Sequence, residues 1–401
     1  MAQEYRKTSK RIDNNVFSIG MLSFFGGVSQ DIFLPILPLY LANILHFNKE
    51  FIGLIEGLVT SSASVFKIVA GYLTDKFRVK KSLVFIGYFL SLVSRPLLSM
   101  LTSGIGVLGL RFIDGVGKGM KDTPKDALIA DSSKVETRGK GFGIVRALDT
   151  FGSVIGPILL FVMLYFLGSN QLKYHYIFFF SAVPLLITLL ILVFFVKEKH
   201  LSAEIKHDDR PYNLSRDFYI FLLIVVLFSL GNSSDTFLIL RAQNVGVTLL
   251  GIPLVYALFN FFYATASIPL GSLSDKIGRE KVIFLGWLAY ALAYLGFALA
   301  GKSYQIWFLF AFYGVYYATT EGVAKAFVAD MTSPEHRGKA YGIYNAVVGA
   351  VTLPASLIAG FLWDKFNPSM PFFFASAIAA VSSLLLLGFT RYRSLEYSKD
   401  K

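Results

Sequence analysis

Ala130–Ile144 reads ADSSKVETRGKGFGI, and Ala329–Ile343 reads ADMTSPEHRGKAYGI. Both stretches keep Ala-Asp, Arg-Gly-Lys and Gly-Ile at the same spacing, 199 residues apart. A second pair lies at nearly the same offset, where Gly71–Lys76 (GYLTDK) returns as Gly271–Lys276 (GSLSDK). The chain therefore consists of two copies of one unit of about 200 residues. Duplication in an apolar protein is typical of transporters whose halves rock around a shared central site.

The composition is that of a membrane protein. Hydrophobic residues make up 55% of the 401 residues and charged residues 16%, which is too apolar for a soluble domain of this length. Twelve apolar runs are long enough for a helix to cross a hydrocarbon core of roughly 30 Å. They cover about 15–44, 51–74, 82–101, 105–131, 141–168, 174–196, 218–240, 249–274, 282–300, 304–330, 340–363 and 371–390. We therefore predict an all-α membrane protein with twelve transmembrane helices in two pseudo-symmetric six-helix bundles. The bundles are residues 1–196 and 218–401, and a cytoplasmic linker, residues 197–217, joins them.

The distribution of basic residues predicts the orientation of these helices. If the amino terminus lies inside, 25 of the 38 Lys and Arg residues fall in inside segments and five in outside loops, as the positive-inside rule requires. We expect a multi-pass protein of the cell (inner) membrane with both termini in the cytoplasm. This orientation accounts for the net charge of +12, so nucleic acid is not an expected partner. The chain has no cysteine and no hydrolase motif, so we expect no thiolate metal site, no cofactor and no enzymatic activity.

The fourth apolar run carries charges that a lipid-facing helix could not hold. Seven charged residues lie between Arg111 and Asp126, and each would cost about 2.5–3.5 kcal/mol at a lipid-facing helix centre. At about 100° per residue, all seven fall within an arc of about 140°, away from Phe112 and Ile113. One face of this helix is therefore polar, and it must line an internal cavity or meet partners on other helices.

This polar face is a candidate binding site. Its four cations exceed its three acids, which suits an anionic or carboxylate-bearing solute. The alternative is that the charges only neutralise one another as structural pairs. We expect this of Asp114, Asp126 and Asp131, which lie near several basic residues. The candidate substrate-binding residues are Arg111, Lys118, Lys121, Asp122, Lys125, Arg146 and Lys325.

Acids within the predicted spans are candidates for proton or cation binding. Asp31 and Asp235 each lie in the first span of a copy, and Glu321 matches Asp122 in the duplication. An apolar environment disfavours the carboxylate ion, so such a group can take up and release a proton as its access to water changes. The alternative is a protonated acid that is hydrogen-bonded to a neighbouring helix, and the ion could be H⁺ or Na⁺. The candidate coupling residues are Asp31, Asp235, Glu321, Asp114 and Asp149.

These motifs resemble those of the major facilitator superfamily, and the resemblance covers essentially the whole chain. Gly271 through Arg279 matches the family's best-known signature, between the second and third spans of a half. The first copy departs from it, because Arg78 and Val79 stand where Gly and Arg are expected. The resemblance implies that Gly71 allows close approach of two helices and that the repeated loop residues take part in gating. The candidate gating residues are Gly71, Asp75, Gly271, Asp275, Arg279, Arg138, Arg337, Gly152, Gly156 and Pro157.

Two further stretches extend the resemblance. Arg111–Gly117 is similar to the span 4 motif, whose arginine is implicated in proton coupling, and Gly152–Pro157 is similar to the first part of a motif associated with antiporters. The resemblance implies a monomeric secondary active transporter that moves a small solute by alternating access. We expect proton coupling and antiport or efflux of an anionic or carboxylate-bearing organic solute. The alternatives are a multidrug/H⁺ antiporter for cationic amphiphiles and a lipid translocase on the same fold.

Overall fold

The computed structural model describes residues 13–133, 138–170, 172–198, 214–332 and 336–399. The side chains of Asp75, Arg138, Glu321, Arg337 and residues 394–399 lie outside this description. In the described residues there is no β-strand, and fourteen helical segments follow one another along the chain. They are α1 Asn14–Phe33, α2 Leu37–Asn43, α3 Lys49–Phe77, α4 Lys80–Leu98, α5 Gly104–Ser132, α6 Arg138–Leu167, α7 Lys173–Phe195, α8 Arg216–Gly231, α9 Thr236–Asn244, α10 Gly251–Ile277, α11 Arg279–Leu299, α12 Ser303–Asp330, α13 Arg337–Lys365 and α14 Met370–Lys399.

The predicted all-α fold is confirmed, and two of the twelve predicted spans are broken. The first span consists of α1 and α2, and the seventh consists of α8 and α9. The first break contains Pro35, which has no backbone N–H to donate to the helix. The second break contains Asn232, Ser233, Ser234 and Asp235, whose side chains compete for backbone hydrogen bonds. The duplication therefore extends to a break in the first span of each copy.

Most of the described spans have the length and composition of membrane-crossing helices. Ten of them qualify, while α5 and α12 are long enough but too polar. α5 carries the seven charges, and α12 contains four tyrosines. Apolar side chains such as Phe179, Leu186 and Phe194 of α7 are exposed, as is expected of a surface that a bilayer covers. The chain is a multi-pass membrane protein.

The first compact unit, unit 1, consists of Met1–Leu34 and Ser62–Asp208. It therefore contains α1, the second half of α3, and α4 to α7. Within it, α1 packs against α6 and α7, and α4 packs against α5 and α7. Val16, Val84 and Leu185 belong to its buried apolar core.

The second compact unit, unit 2, consists of Pro35–Ser61 and Asp209–Lys401. It contains α2, the first half of α3, and α8 to α14. Within it, α8 packs against α13 and α14, α10 packs against α12, and α11 packs against α12 and α14. The predicted bundle boundaries stay a prediction, and residues 199–213 of the predicted linker lie outside the described residues.

Candidate functional site

The polar face of α5 is organised around Asp114. This carboxylate is 1% exposed, and it accepts hydrogen bonds from Arg111 Nη1 at 2.7 Å and from Ser91 Oγ at 2.8 Å. Lys118 Nζ lies 3.6 Å from the same carboxylate. Arg111 is itself 3% exposed. The structure therefore places the predicted ligand Arg111 in a buried ion pair, where its guanidinium orients Asp114.

Arg95 of α4 is a member of this cluster that the sequence analysis missed. It is 2% exposed, and its guanidinium donates to Ser29 Oγ at 2.5 Å and to Gln30 Oε1 at 2.7 Å. The ring of Phe33 lies 5.1 Å from the guanidinium of Arg95 and 5.5 Å from that of Arg111. Two buried cations therefore share one aromatic ring, which stabilises both. The sequence signal that could have identified Arg95 is that it is a basic residue inside an apolar run.

Three lysines of α5 lie farther along the same helix and are less buried than the arginines. Lys118, Lys121 and Lys125 are each half-buried, and Lys121 Nζ lies 4.4 Å from the centroid of the Tyr88 ring. The predicted ligand Asp122 is paired with Lys67 Nζ of α3 at 2.9 Å, and both side chains remain partly exposed. Lys67 was also missed, because its partner lies on another helix. All three lysine side chains therefore remain partly accessible.

Asp31 of α1 lies beside this cluster. It is 6% exposed, and Ser153 of α6 is its hydrogen-bonding neighbour. The charged groups that act on it are Asp149, Arg95 and Lys118. α1 and α6 come close here because Gly156 has no side chain. A Cβ atom on Gly156 would lie 2.8 Å from the carbonyl oxygen of Val28 and 2.9 Å from Asp31 Cβ.

Other predicted binding and coupling residues are placed less centrally. Arg146 is more than half exposed, and its Nη1 lies 3.6 Å from Asp149 Oδ2 within α6. Lys325 of α12 is exposed and forms no ion pair with any residue in the described part of the chain. Gly152, like Gly156, packs directly against α1, with the backbone of Phe24 and Val28 as its neighbours. Pro157 lies inside α6.

Unit 2 contains a different arrangement around Asp235. Tyr313 Oη donates to Asp235 Oδ1 at 2.7 Å, and Tyr317 Oη lies 3.2 Å from Oδ2. Both tyrosines project from α12, and Asp235 stands at the break between α8 and α9. In the described part of the chain, no basic side chain pairs with Asp235. This carboxylate is therefore held by phenol groups alone.

The predicted gating residues are partly described. Arg279 Nη1 pairs with Asp330 at 2.8 Å, and Nη2 lies 3.7 Å from Asp275. The close approach expected at Gly71 is wrong, because a Cβ atom there would lie 3.6 Å from Thr123 Cγ2, an ordinary contact. A Cβ atom on Gly271 would meet nothing within 4 Å. The side chains of Asp75, Arg138, Arg337 and the coupling candidate Glu321 lie outside the described ones.

Comparison with known families identifies the fold. The model of the Major Facilitator Superfamily matches residues 19–239 and 220–401. The chain belongs to the Major Facilitator Superfamily. It is therefore a membrane transporter, and transporters of this superfamily carry small solutes. The resemblance inferred from the repeated motifs is confirmed.

Three similar proteins illustrate the range within the superfamily. An uncharacterized MFS-type transporter of Methanocaldococcus jannaschii is 38% identical over 393 residues, which cover 96% of this chain and 97% of that protein. Multidrug resistance protein 2 of Bacillus subtilis is 31% identical over 180 residues, 39% of this chain and 45% of that protein. The crystal structure of a D-xylose-proton symporter superposes with a TM-score of 0.75 at 17% identity, over 94% and 97% of the two chains. The last similarity concerns the fold alone.

Proposed function

We propose that this protein is a secondary active transporter of a carboxylate-bearing organic anion, driven by proton movement through alternating access. The observation that carries the proposal is the row of half-buried lysines Lys118, Lys121 and Lys125 on α5. In the orientation that the basic residues predict, the protein lies in the cell (inner) membrane with both termini in the cytoplasm. The transporting unit in this proposal is the monomer.

The physical argument concerns the cost of burying charge. An ammonium group that leaves water loses several kcal/mol of solvation, which nearby negative charge has to offset. Within unit 1, Asp114 is shared by Arg111 and Lys118, and Asp122 is paired with Lys67. Lys121 meets the face of the Tyr88 ring, a weaker partner than a carboxylate. Because the four cations on this face of α5 exceed its three acids, a solute carboxylate would balance the excess positive charge.

Asp31 is the coupling residue that the geometry of unit 1 favours. Its carboxylate lies among Arg95, Lys118 and Asp149, close to the lysines that would bind the solute. When Asp31 is ionised it attracts the same cations as the solute, and when it is protonated it releases them. A ligand can shift a conformational equilibrium only through a difference in affinity between the states, and this shared network supplies one.

The electrostatics of the cluster and the α6 motif favour opposite directions of coupling. Protonation of Asp31 makes the cluster more positive, so a proton and an anion would bind together, as in cotransport. The α6 motif, by contrast, favours exchange. Exchange of an anion for a proton would require a second effect that outweighs the attraction, such as a conformational change on protonation. The sign of the proton flux during solute entry distinguishes the two directions.

The test uses purified protein in liposomes that contain a pH-sensitive dye. Pooled dicarboxylates and other small organic anions are added first, then pooled cationic drugs, with a pH gradient imposed. We expect anion-dependent proton flux, lost in Asp31→Asn, while exchange of labelled anion across the membrane continues in that variant. In Lys118→Ala/Lys121→Ala, anion-dependent flux should fall by at least about tenfold, because two desolvated charge contacts are removed.

Lys173→Ala is the matched control, because it removes a lysine of unit 1 that lies outside the cluster, at the start of α7. Unchanged transport in the double lysine variant would contradict the proposal. Flux triggered only by cationic drugs would support a multidrug/H⁺ antiporter, a candidate that the partial similarity to multidrug resistance protein 2 favours. Movement of labelled lipid without either solute would support a lipid translocase.

A further inference from the structure

Asp235 differs from the intramembrane carboxylates of unit 1 in its charged neighbours. Asp114, Asp122 and Asp149 each have a basic side chain within 4 Å, and Arg95 and Lys118 act on Asp31. Asp235 lies in a membrane span and receives only phenol hydroxyls, from Tyr313 at 2.7 Å and from Tyr317 at 3.2 Å. Hydrogen bonds to a carboxylate favour its ionised form, whereas burial in an apolar region favours the neutral acid unless a counter-charge is present. The described residues of unit 2 do not provide one.

The surroundings of Asp235 are aromatic. The Tyr317 ring packs edge-on against Phe259 at 5.3 Å and against Tyr263 at 5.7 Å between centroids. Tyr313 in turn stacks on Phe259 at 5.5 Å. Asp235, Tyr263 and Tyr317 are half-buried, whereas Phe259 and Tyr313 are buried. Asp235 and the neighbouring Tyr317 and Tyr263 are therefore each partly accessible, next to the buried rings of Phe259 and Tyr313.

We propose that Asp235, Tyr317 and Tyr263 form a binding site for an organic ammonium group. The carboxylate would supply the counter-charge, and the tyrosine rings would supply faces that attract a cation through their quadrupoles. The hydroxyls of Tyr313 and Tyr317 hold the carboxylate in place, so it is oriented before the ligand arrives. This site goes beyond the proposed transport of an anion, because it lies on different helices and selects the opposite charge.

The chemistry favours an organic cation over a metal ion. Hard cations such as Na⁺ and Mg²⁺ take several oxygen ligands, and carboxylate and carbonyl oxygens are the usual ones. Here the hydrogen-bonding neighbours of the carboxylate, among the described residues, are the hydroxyls of two phenols, at 2.7 and 3.2 Å. Beyond them lie ring faces and edges, which suit alkylated ammonium groups. A primary amine would bind through the carboxylate, and a quaternary one through the rings as well.

The test is calorimetric titration of the detergent-purified full chain with phenyltrimethylammonium chloride, at constant ionic strength in KCl. We expect saturable binding by the unaltered protein. Asp235→Asn keeps the size of the side chain and removes its charge, and we expect Kd to rise by about tenfold or more. Tyr317→Leu removes a ring face and should raise Kd about threefold to tenfold, whereas Tyr317→Phe keeps the face and should change it less.

Asp364→Asn is the matched control, because Asp364 is an exposed carboxylate of the same unit that accepts a hydrogen bond from the Glu50 backbone. Its Kd should equal that of the unaltered protein. Tyr263→Leu provides a second variant if Asp235→Asn does not fold, and thermal unfolding of each variant shows whether it does. Absence of phenyltrimethylammonium binding in the unaltered protein would overturn the proposal. So would folded Asp235→Asn and Tyr263→Leu variants that bind this ligand with the same Kd as the unaltered protein.

Replacing KCl by NaCl tests the remaining possibility, that the site binds Na⁺ instead of an organic ammonium group. If Na⁺ abolishes phenyltrimethylammonium binding at millimolar concentration while Tyr317→Leu binds normally, the site is a sodium site and the proposal is wrong. The outcome is independent of the proposed transport function. Lys118→Ala/Lys121→Ala leaves this aromatic site intact, so it should bind phenyltrimethylammonium normally even where anion transport is lost.

Discussion

Tyr313 donates a hydrogen bond of 2.7 Å to Asp235, and it occupies the position that Asp114 holds in the first copy of the duplication. Four residues later, Tyr317 corresponds to Lys118 in the same way. In the first copy these positions form ion pairs within one helix, at 2.7 Å between Arg111 and Asp114. In the second copy they are phenols that donate to a carboxylate in the break between α8 and α9. The two copies therefore share a fold and differ in the chemistry of their polar faces.

The first prediction concerns the buried pair of Arg111 and Asp114. Asp114→Asn should destabilise the protein by about 3–5 kcal/mol, because it leaves a buried guanidinium without its counter-charge. Ser91→Ala, which removes a single hydrogen bond to the same charged carboxylate, should cost less, about 1.5–3 kcal/mol. Thermal unfolding in detergent measures both. The double variant Arg111→Met/Asp114→Leu should be more stable than Asp114→Asn, and the reverse order would show that the pair is not coupled.

The second prediction concerns the contact of α6 with α1. Gly156→Ala should destabilise the protein by about 1–3 kcal/mol, because its Cβ atom would lie within 3 Å of the α1 backbone. Gly143→Ala is the matched control on the same helix, since a Cβ atom there meets nothing within 4 Å. That control should be neutral or stabilising by up to about 1 kcal/mol, through helix propensity. Equal unfolding temperatures for the two variants would contradict the close contact.

The third prediction concerns Arg241 of α9. Its guanidinium donates to the carbonyl oxygens of Phe297, Ala298 and Ala300 at the end of α11, each at 3.0 Å. Arg241→Lys retains the charge but not the planar set of donors, so we expect a loss of about 1.5–3 kcal/mol. Lys302→Arg, in the loop after α11, should leave the unfolding temperature unchanged. An unaffected Arg241→Lys variant would mean that one ammonium group satisfies all three carbonyls.

The fourth prediction concerns Arg279 and separates gating from stability. Its partners Asp275 and Asp330 are largely exposed, so Arg279→Gln should change the free energy of unfolding by no more than about 1 kcal/mol. If these pairs hold one conformation during transport, the same variant should slow solute uptake severalfold. Lys281→Gln, an exposed position two residues later, should leave uptake unchanged. Equal solute uptake in Arg279→Gln and Lys281→Gln would contradict a role of Arg279 in gating.

Much of the architecture is predictable from the sequence, because apolar runs, repeated motifs and charge asymmetry are properties of one segment at a time. The polar face of α5 is an example, since seven charges at helical spacing show where the helix cannot face lipid. The partners of that face are less predictable. Lys67 and Ser91 lie on other helices, and helical periodicity does not tell which faces meet.

The site around Asp235 is even less predictable from the sequence, because its residues come from different spans. Tyrosine is common in membrane helices, so Tyr313 and Tyr317 carry no periodic signal of their own. Their hydroxyls acquire a role only where the break between α8 and α9 brings a carboxylate to them. The break itself depends on four short polar residues, and the sequence analysis treated this span as continuous.

The seven charges of α5 also bear on how the chain is made. On the translocon scale, a segment with that many charges does not enter lipid by itself, so α5 has to leave the insertion machinery already paired. Lys67, Tyr88 and Ser91 precede α5 in the chain and are therefore synthesised before it, ready to receive Asp122, Lys121 and Asp114. The order of synthesis along unit 1 thus matches the order in which its charges need partners.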